Sequence, residues 1–279
     1  MKKSQIVFTN YPYHKLTLKY TLDSLARLGA EKMEFVACEP HFYVDDVVSN
    51  EVAALKALLR EREIEMVCLT APCSEYPINL ASLNPVTRMR SVDYIVRHIE
   101  LADAFGAPAV QFVAGEATLN EDRAEAARRA EESLAYLADI AEGYGVKLLN
   151  SYHDSKLVNV YASAREVRRA HDQIAPRAFA GMTDTVCMAR SGETPGDVLS
   201  AFGDELYLVE LADCKGSSSM HMAAGEGELD LDATLKEFDR LGYTGYYALN
   251  MRGVREPYLY EEEPERCMAA SAEFLRNRL

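Results

Sequence analysis

Histidines, cations and one thiol stand where short apolar runs of this chain end, and each type implies a chemistry. His153, in Ser151-Tyr152-His153-Asp154, carries an imidazole that titrates near neutrality and suits a general acid or base or a substrate contact. His41, in Glu39-Pro40-His41-Phe42-Tyr43, stands where it could overhang a pocket. Lys215 and Arg252 follow the runs Leu206–Leu211 and Tyr246–Leu249 and could grip a phosphate or carboxylate. Tyr13, with Tyr11, Phe42 and Tyr43, offers rings that wall a sugar or other polyol by stacking. Cys187 reads as a substrate contact or nucleophile, although no base can be assigned beside it.

These groups need a scaffold, and the pattern of the chain supplies one. Eight short apolar runs alternate with longer segments of helical spacing: Ile6–Thr9, Met33–Cys38, Ile64–Leu69, Ala109–Val113, Val146–Asn150, Ala178–Met182, Leu206–Leu211 and Tyr246–Leu249. Between them, Val92, Ile95, Ile99 and Ala102, or Leu134, Leu137 and Ala141, put one apolar stripe toward a sheet. Asn120 followed by Glu121 and Asp122 reads as a helix start, and Gly143 and Gly145 as its end. The acidic run Glu261-Glu262-Glu263-Pro264 reads as a solvated loop entering the last helix. No Gly-rich phosphate turn follows an early strand, which argues against an open doubly wound sheet. The expectation is one (β/α)8 barrel, a TIM barrel, spanning residues 1–279, with function at the C-terminal ends of the strands.

Composition sets further bounds. The formal net charge of −14 and the lack of a Lys/Arg cluster oppose nucleic acid as a partner. No run of about 18 apolar residues or signal-peptide pattern is present, so no membrane partner and a cytoplasmic location are expected. The six cysteines lack CxxC spacing and read mostly as buried thiols.

Several stretches resemble the sugar phosphate isomerase/epimerase family, within the xylose isomerase-like barrels. They are Tyr76-Pro77-Ile78-Asn79-Leu80-Ala81-Ser82, Arg90-Ser91-Val92, Ile99 to Ala107, Asp184 to Gly192, Ala224-Gly225-Glu226-Gly227-Glu228-Leu229-Asp230 and Gly242-Tyr243-Thr244-Gly245. They occur in the family's order and cover nearly the whole chain.

The resemblance implies carbohydrate metabolism and a divalent metal (Mn, Mg, Co or Zn), held by Glu after strand five, Asp after strand six, His on strand seven and Glu at the end of strand eight. Two glutamates then move a proton between neighbouring carbons. Here those positions hold Asn150 (or Ser151 in the alternative register), Asp184, Glu210 and Asn250. A carboxamide cannot accept and return a proton near neutral pH, so the ordinary two-glutamate mechanism cannot run on them. Asp184 and Glu210, with Asn150 and Asn250, could still bind a hard metal ion; alternatively, the acids pair with Lys147, Lys215 or Arg252 without metal. His221, four residues before Gly225, matches a zinc-ligating His of related DNA-repair barrels, but Thr70 and Val113 replace two other histidines those need.

The implied function is isomerisation, epimerisation or elimination on a sugar or polyol, with Asp184, Glu210, His153 or His221 replacing the missing glutamates. The alternative is a sugar-binding or regulatory pseudoenzyme on the same barrel. Similar barrels often form homo-oligomers.

Overall fold

The computed structural model describes residues 2–46, 49–73, 78–152, 160–175, 177–218, 220–251 and 262–278. His153 and Arg252 lie outside these residues, as do Tyr76 and Pro77. Eight parallel strands pair in chain order and close on themselves: β1 (Ile6–Thr9), β2 (Lys32–Val36), β3 (Glu65–Thr70), β4 (Ala109–Val113), β5 (Lys147–Ser151), β6 (Phe179–Asp184), β7 (Leu206–Leu211) and β8 (Tyr246–Leu249). Helices surround them: α1 (Leu18–Arg27), α2 (Ser49–Glu61), α3 (Pro85–Phe105), α4 (Arg123–Tyr144), α5 (Ala164–Ile174), α6 (Thr185–Ser191), α7 (Pro195–Phe202), α8 (Leu231–Arg240) and α9 (Glu262–Arg276). The expected (β/α)8 barrel is the observed fold.

Four strands have the expected bounds; β3, β5 and β6 are displaced for one reason, whereas β2 starts earlier, at Lys32, and stops short, at Val36. An apolar run marks where a strand is buried on both faces, whereas pairing with neighbours decides where it stops. Ser151 still pairs with Val113, Thr70 with Val36 and Asp184 with Glu210, so β3, β5 and β6 run on into polar residues. Helix bounds shift similarly. The cap of α4 is Asp122, whose side chain accepts from Ala124 N–H, while Glu121 pairs with Arg129. Gly145 ends that helix at φ 69°, a left-handed conformation that glycine adopts without a Cβ penalty. The acidic run enters α9 itself: Glu262 opens the helix and Glu263 pairs with Arg266 one turn on.

The strand alternation creates two interiors. A larger apolar cluster packs the outer strand faces against the helices. A smaller one fills the barrel, with Val7, Cys68, Ala109, Leu149, Met182, Leu208 and Ala248 among its members. Two residues further along each strand, the same inward face carries Thr9, Thr70, Gln111, Ser151, Asp184, Glu210 and Asn250. Glu34 joins them from β2, because its neighbours Met33 and Phe35 belong to the outer cluster. All eight residues are buried. The C-terminal end of the barrel is therefore closed by a ring of polar side chains over an apolar plug. No helix among the described residues is long and apolar enough to cross a membrane.

Candidate active site

The polar ring contains three carboxyl groups, and each is held by a specific contact. Asp184 ends β6 and caps α6: its Oδ1 accepts from the N–H groups of Val186 (2.7 Å) and Cys187 (2.9 Å). Its Oδ2 lies 2.6 Å from Nε2 of His221. That imidazole is brought over the barrel by a short antiparallel bridge, in which Asp213 and Met222 exchange backbone hydrogen bonds. The loop carrying it is fastened by the buried Asp213 carboxylate, which accepts from Cys214 N–H (2.8 Å), Leu229 N–H (3.0 Å) and Gly225 N–H (3.1 Å). Gly227 leaves the space this needs, since a Cβ there would stand 2.2 Å from Asp213 Oδ1.

Across the barrel, Glu34 Oε1 lies 2.6 Å from the Thr70 hydroxyl, which is 3.0 Å from Gln111 Oε1. Gln111 Nε2 lies 2.9 Å from Glu210 Oε1. A cavity of about 360 Å³ opens above this chain of contacts, lined by Tyr11, His14, Cys38, Glu39, Thr70 and Gln111 among others. Its volume is within the range of small-ligand sites, and it lies beyond the C-terminal ends of β1 to β4. A larger groove between α5 and α7 lies on the outer helical side, away from the strand ends. Asn250 completes the ring, and neither atom of its buried carboxamide finds a partner among the described residues.

Several residues expected in the site sit elsewhere. Tyr13 is turned into the core, with its hydroxyl 2.9 Å from Ser24 Oγ, and Tyr11 takes the place on the cavity wall. His41 is a structural fastener. Its Nδ1 lies 2.9 Å from Asn10 Nδ2 and its Nε2 lies 3.0 Å from Leu16 O, so the ring accepts at one nitrogen and donates at the other. Cys187 is buried in the first turn of α6. Lys215 is exposed in the loop after β7. Lys147 opens β5 at the opposite end of the barrel and donates to Arg177 O, so it pairs with neither acid. Alternation places Ser151 on the inner face of β5, and Asn150 on the outer face with Leu148 and Tyr152. The site residues the sequence did not single out are Glu34, Gln111, Asp213 and His14. For the first two a signal was present: an acid in Met33-Glu34-Phe35-Val36 and an amide in Ala109-Val110-Gln111-Phe112-Val113 interrupt strands that should be apolar on both faces.

Three buried histidines give the fold a pH dependence. Desolvation lowers His41 and His98 from 6.5 to about 4, and His171, stacked on Phe179, to about 3. The folded state favours the neutral rings, so their contribution is complete above pH 6.5 and is lost as the pH falls from 6.5 toward 4. A tenfold difference in proton affinity between folded and unfolded chain is worth about 1.4 kcal/mol. The urea midpoint is therefore expected to drop across that window, less steeply in a His171→Leu variant. A flat profile over the same range would contradict this.

Comparison with known proteins places the fold in a family. The model of the xylose isomerase-like TIM barrel matches residues 22–278. The chain belongs to that family. It is 24% identical over 254 residues to fructoselysine 3-epimerase of Shigella flexneri, covering 90% of this chain and 92% of the relative. Among solved structures it superimposes on a D-psicose 3-epimerase with D-tagatose from Clostridium cellulolyticum H10, at a TM-score of 0.80 and 17% identity, covering 98% of both chains. It also superimposes on IolI protein with a bound zinc atom, at a TM-score of 0.80 and 16% identity, covering 98% of this chain and 97% of that one.

The family resemblance implies a metal, and the residues present do not reproduce its ligands. Ser151 and Asn250 occupy the inward ends of β5 and β8, and Glu210 replaces the imidazole of β7. Asp184 is engaged by two backbone N–H groups and His221. Among the described residues, no group of three or more His, Cys, Asp or Glu side chains is placed to hold a metal ion. Among the described residues, the donor set does not fit the four-ligand centre.

Proposed function

We propose that this protein is an epimerase or isomerase of a free ketose or related polyol, moving a proton between neighbouring carbons with its own side chains. The observation that carries the reading is the buried Asp184–His221 pair, 2.6 Å apart in the polar ring that closes the barrel. A carboxylate against an imidazole stabilises the imidazolium formed when the ring takes a proton, so His221 serves as the group that removes the substrate proton, with Asp184 holding it. Glu210, next to Asp184 across the β6–β7 ladder, supplies a second carboxyl group in the same layer. In the substrate, the C–H bond beside the carbonyl breaks and its proton goes to His221 on one face, while Glu210, carrying a proton, gives it to the other face of the enediolate; turnover in the reverse direction restores both groups.

An unphosphorylated substrate is supported by charge: the cavity wall contributes Glu39 and, among the described lining residues, no Lys or Arg. The relatives point the same way, being named for 3-epimerisation of fructoselysine and D-psicose.

The test is conversion of D-fructose, D-tagatose and D-psicose by protein treated with chelator and checked for residual metal. Interconversion at C3 that survives chelation is expected. Activity that vanishes on chelation and returns with Mn²⁺ would overturn the metal-free reading. Saturable sugar binding without turnover would replace the enzyme by the binding-only alternative, which Asn250 favours, since a carboxamide stands where β8 would otherwise present a proton carrier.

A further inference from the structure

We infer that the outer face shared by α3 and α4 is where two copies of this chain meet about a two-fold axis. Large apolar side chains left in water are normally scattered, and a gathering of them marks a surface that something covers. On this face Leu83 is 66% exposed, Val86 69%, Met89 67% and Tyr136 57%. Leu83 stands just before Asn84, the cap of α3, and Val86 and Met89 follow at three-residue steps, so the three run as one ridge. Tyr136 comes from α4, and with Met89, Val92 and Ser133 it lines a groove of about 310 Å³ between the two helices. Four side chains of this size, each more than half exposed, present on the order of 400 Å² together, as much as the largest patch of a typical monomer. That is about half of what each partner contributes to a stable interface, leaving the rest to a polar rim.

Charge decides what covers it. The groove carries both signs, with Arg88 and Asp93 on α3 and Glu132 on α4. Arg88 donates to Ser82 O (2.8 Å), and neither it nor Asp93 has an ion-pair partner among the described residues, whereas Glu132 pairs with Arg128. The face is therefore close to neutral on a chain whose formal net charge is −14. A second copy is not repelled here as it is elsewhere, and a basic partner gains more on the acidic remainder of the surface.

A two-fold contact sets residue i against j and j against i, so the surface must complement itself. An unpaired cation and an unpaired anion on one helix meet that condition. Arg88 and Asp93 are five residues apart, about 7.5 Å along the helix axis. A two-fold axis midway between them, at the level of Arg90 and Ser91, runs α3 antiparallel to its counterpart. Arg88 then faces the second copy's Asp93, twice by symmetry, and Met89 faces the second copy's Val92. Leu83, Val86 and Tyr136 widen the apolar contact around that centre. None of these residues lines the cavity above the polar ring, so association can be broken without touching the site.

Sedimentation equilibrium of the full chain at micromolar concentration tests this. The wild-type protein is expected at an even multiple of the mass of one chain. Met89→Glu puts a charge at the centre of the exposed face and should halve that mass with the fold intact. The two unpaired charges give the sharper readout. Arg88→Asp sets acid against acid at both contacts, and Asp93→Arg sets base against base, so each variant alone should associate at least about 100-fold more weakly than wild type. Mixed one to one, the two variants meet with opposite charges at both contacts and should recover the wild-type mass. The double variant Arg88→Asp/Asp93→Arg should recover it alone. A merely structural role for either residue predicts no such recovery, and a variant that failed to fold could not show it. Wild-type protein that stays at the mass of one chain would overturn the inference. So would an assembly unchanged by all three single substitutions, which would lie on another face, or losses that neither the mixture nor the double variant recovers.

Discussion

Exchanging Asp184 for Asn is expected to lower kcat/KM for the ketose by roughly 10²- to 10⁴-fold while leaving stability within about 1 kcal/mol of wild type. The two effects separate because Asp184 uses its two oxygens differently. Oδ1 caps α6, and an Asn side chain caps a helix about as well as Asp. Oδ2 faces His221 Nε2, and replacing it with an NH₂ group forces the ring to present a lone pair there, which moves its proton to Nδ1. The ring loses both its orienting anion and its working tautomer, the defect that costs serine-protease triads about 10⁴ in rate. Asp184→Ala removes the cap as well and adds roughly 1 kcal/mol of destabilisation to the same loss of rate. Steady-state kinetics and urea denaturation on both variants check this. Equal activity in wild type and Asp184→Asn would remove Asp184 and His221 from the chemistry.

The largest loss of stability is expected for Asp213→Ala, roughly 3–5 kcal/mol. This carboxylate never meets the cavity among the described residues, yet three backbone N–H groups from 214, 225 and 229 converge on it. Removing it strands donors in a loop too tight to admit replacement acceptors. The thermal midpoint should fall by roughly 5–15 °C. Activity should fall with it at temperatures where the variant remains folded, because the Asp213–Met222 bridge sets the height of His221 over Asp184. Asp213→Asn keeps one acceptor but turns an N–H toward Gly225, so its loss should be intermediate. A variant of either kind as stable as wild type would show that the loop is held by something else.

The barrel was legible because its signal is repetitive: eight apolar runs separated by helical stripes leave few other topologies, and closure follows from the lack of a phosphate turn. The site was only half legible. Asp184, Glu210 and Asn250 were singled out because the motif order places them at strand ends, and His221 by its distance from Gly225; all four are buried. Glu34 and Gln111 were passed over because they lie within apolar runs and not at their ends. They matter only when eight strands are curled so that position 34 meets position 70, and 111 meets 210. Tyr13 and His41 failed in the opposite way. A residue just after a strand can turn either toward the mouth or back beneath the first helix. For Tyr13 the Ser24 hydroxyl of α1 decides this, and for His41 the contacts are Asn10 and Leu16 O. Local sequence carries no trace of those partners.

Side chains of the polar ring are held to move a proton to and from a ketose carbon, and the most direct measurement is proton NMR of a ketose incubated with the metal-depleted protein in D₂O. The C3 proton should be replaced by deuterium in the presence of the wild-type protein, and at least about 100-fold more slowly with Asp184→Asn. A ketose that binds in the cavity yet keeps its C3 proton indefinitely would contradict this chemistry.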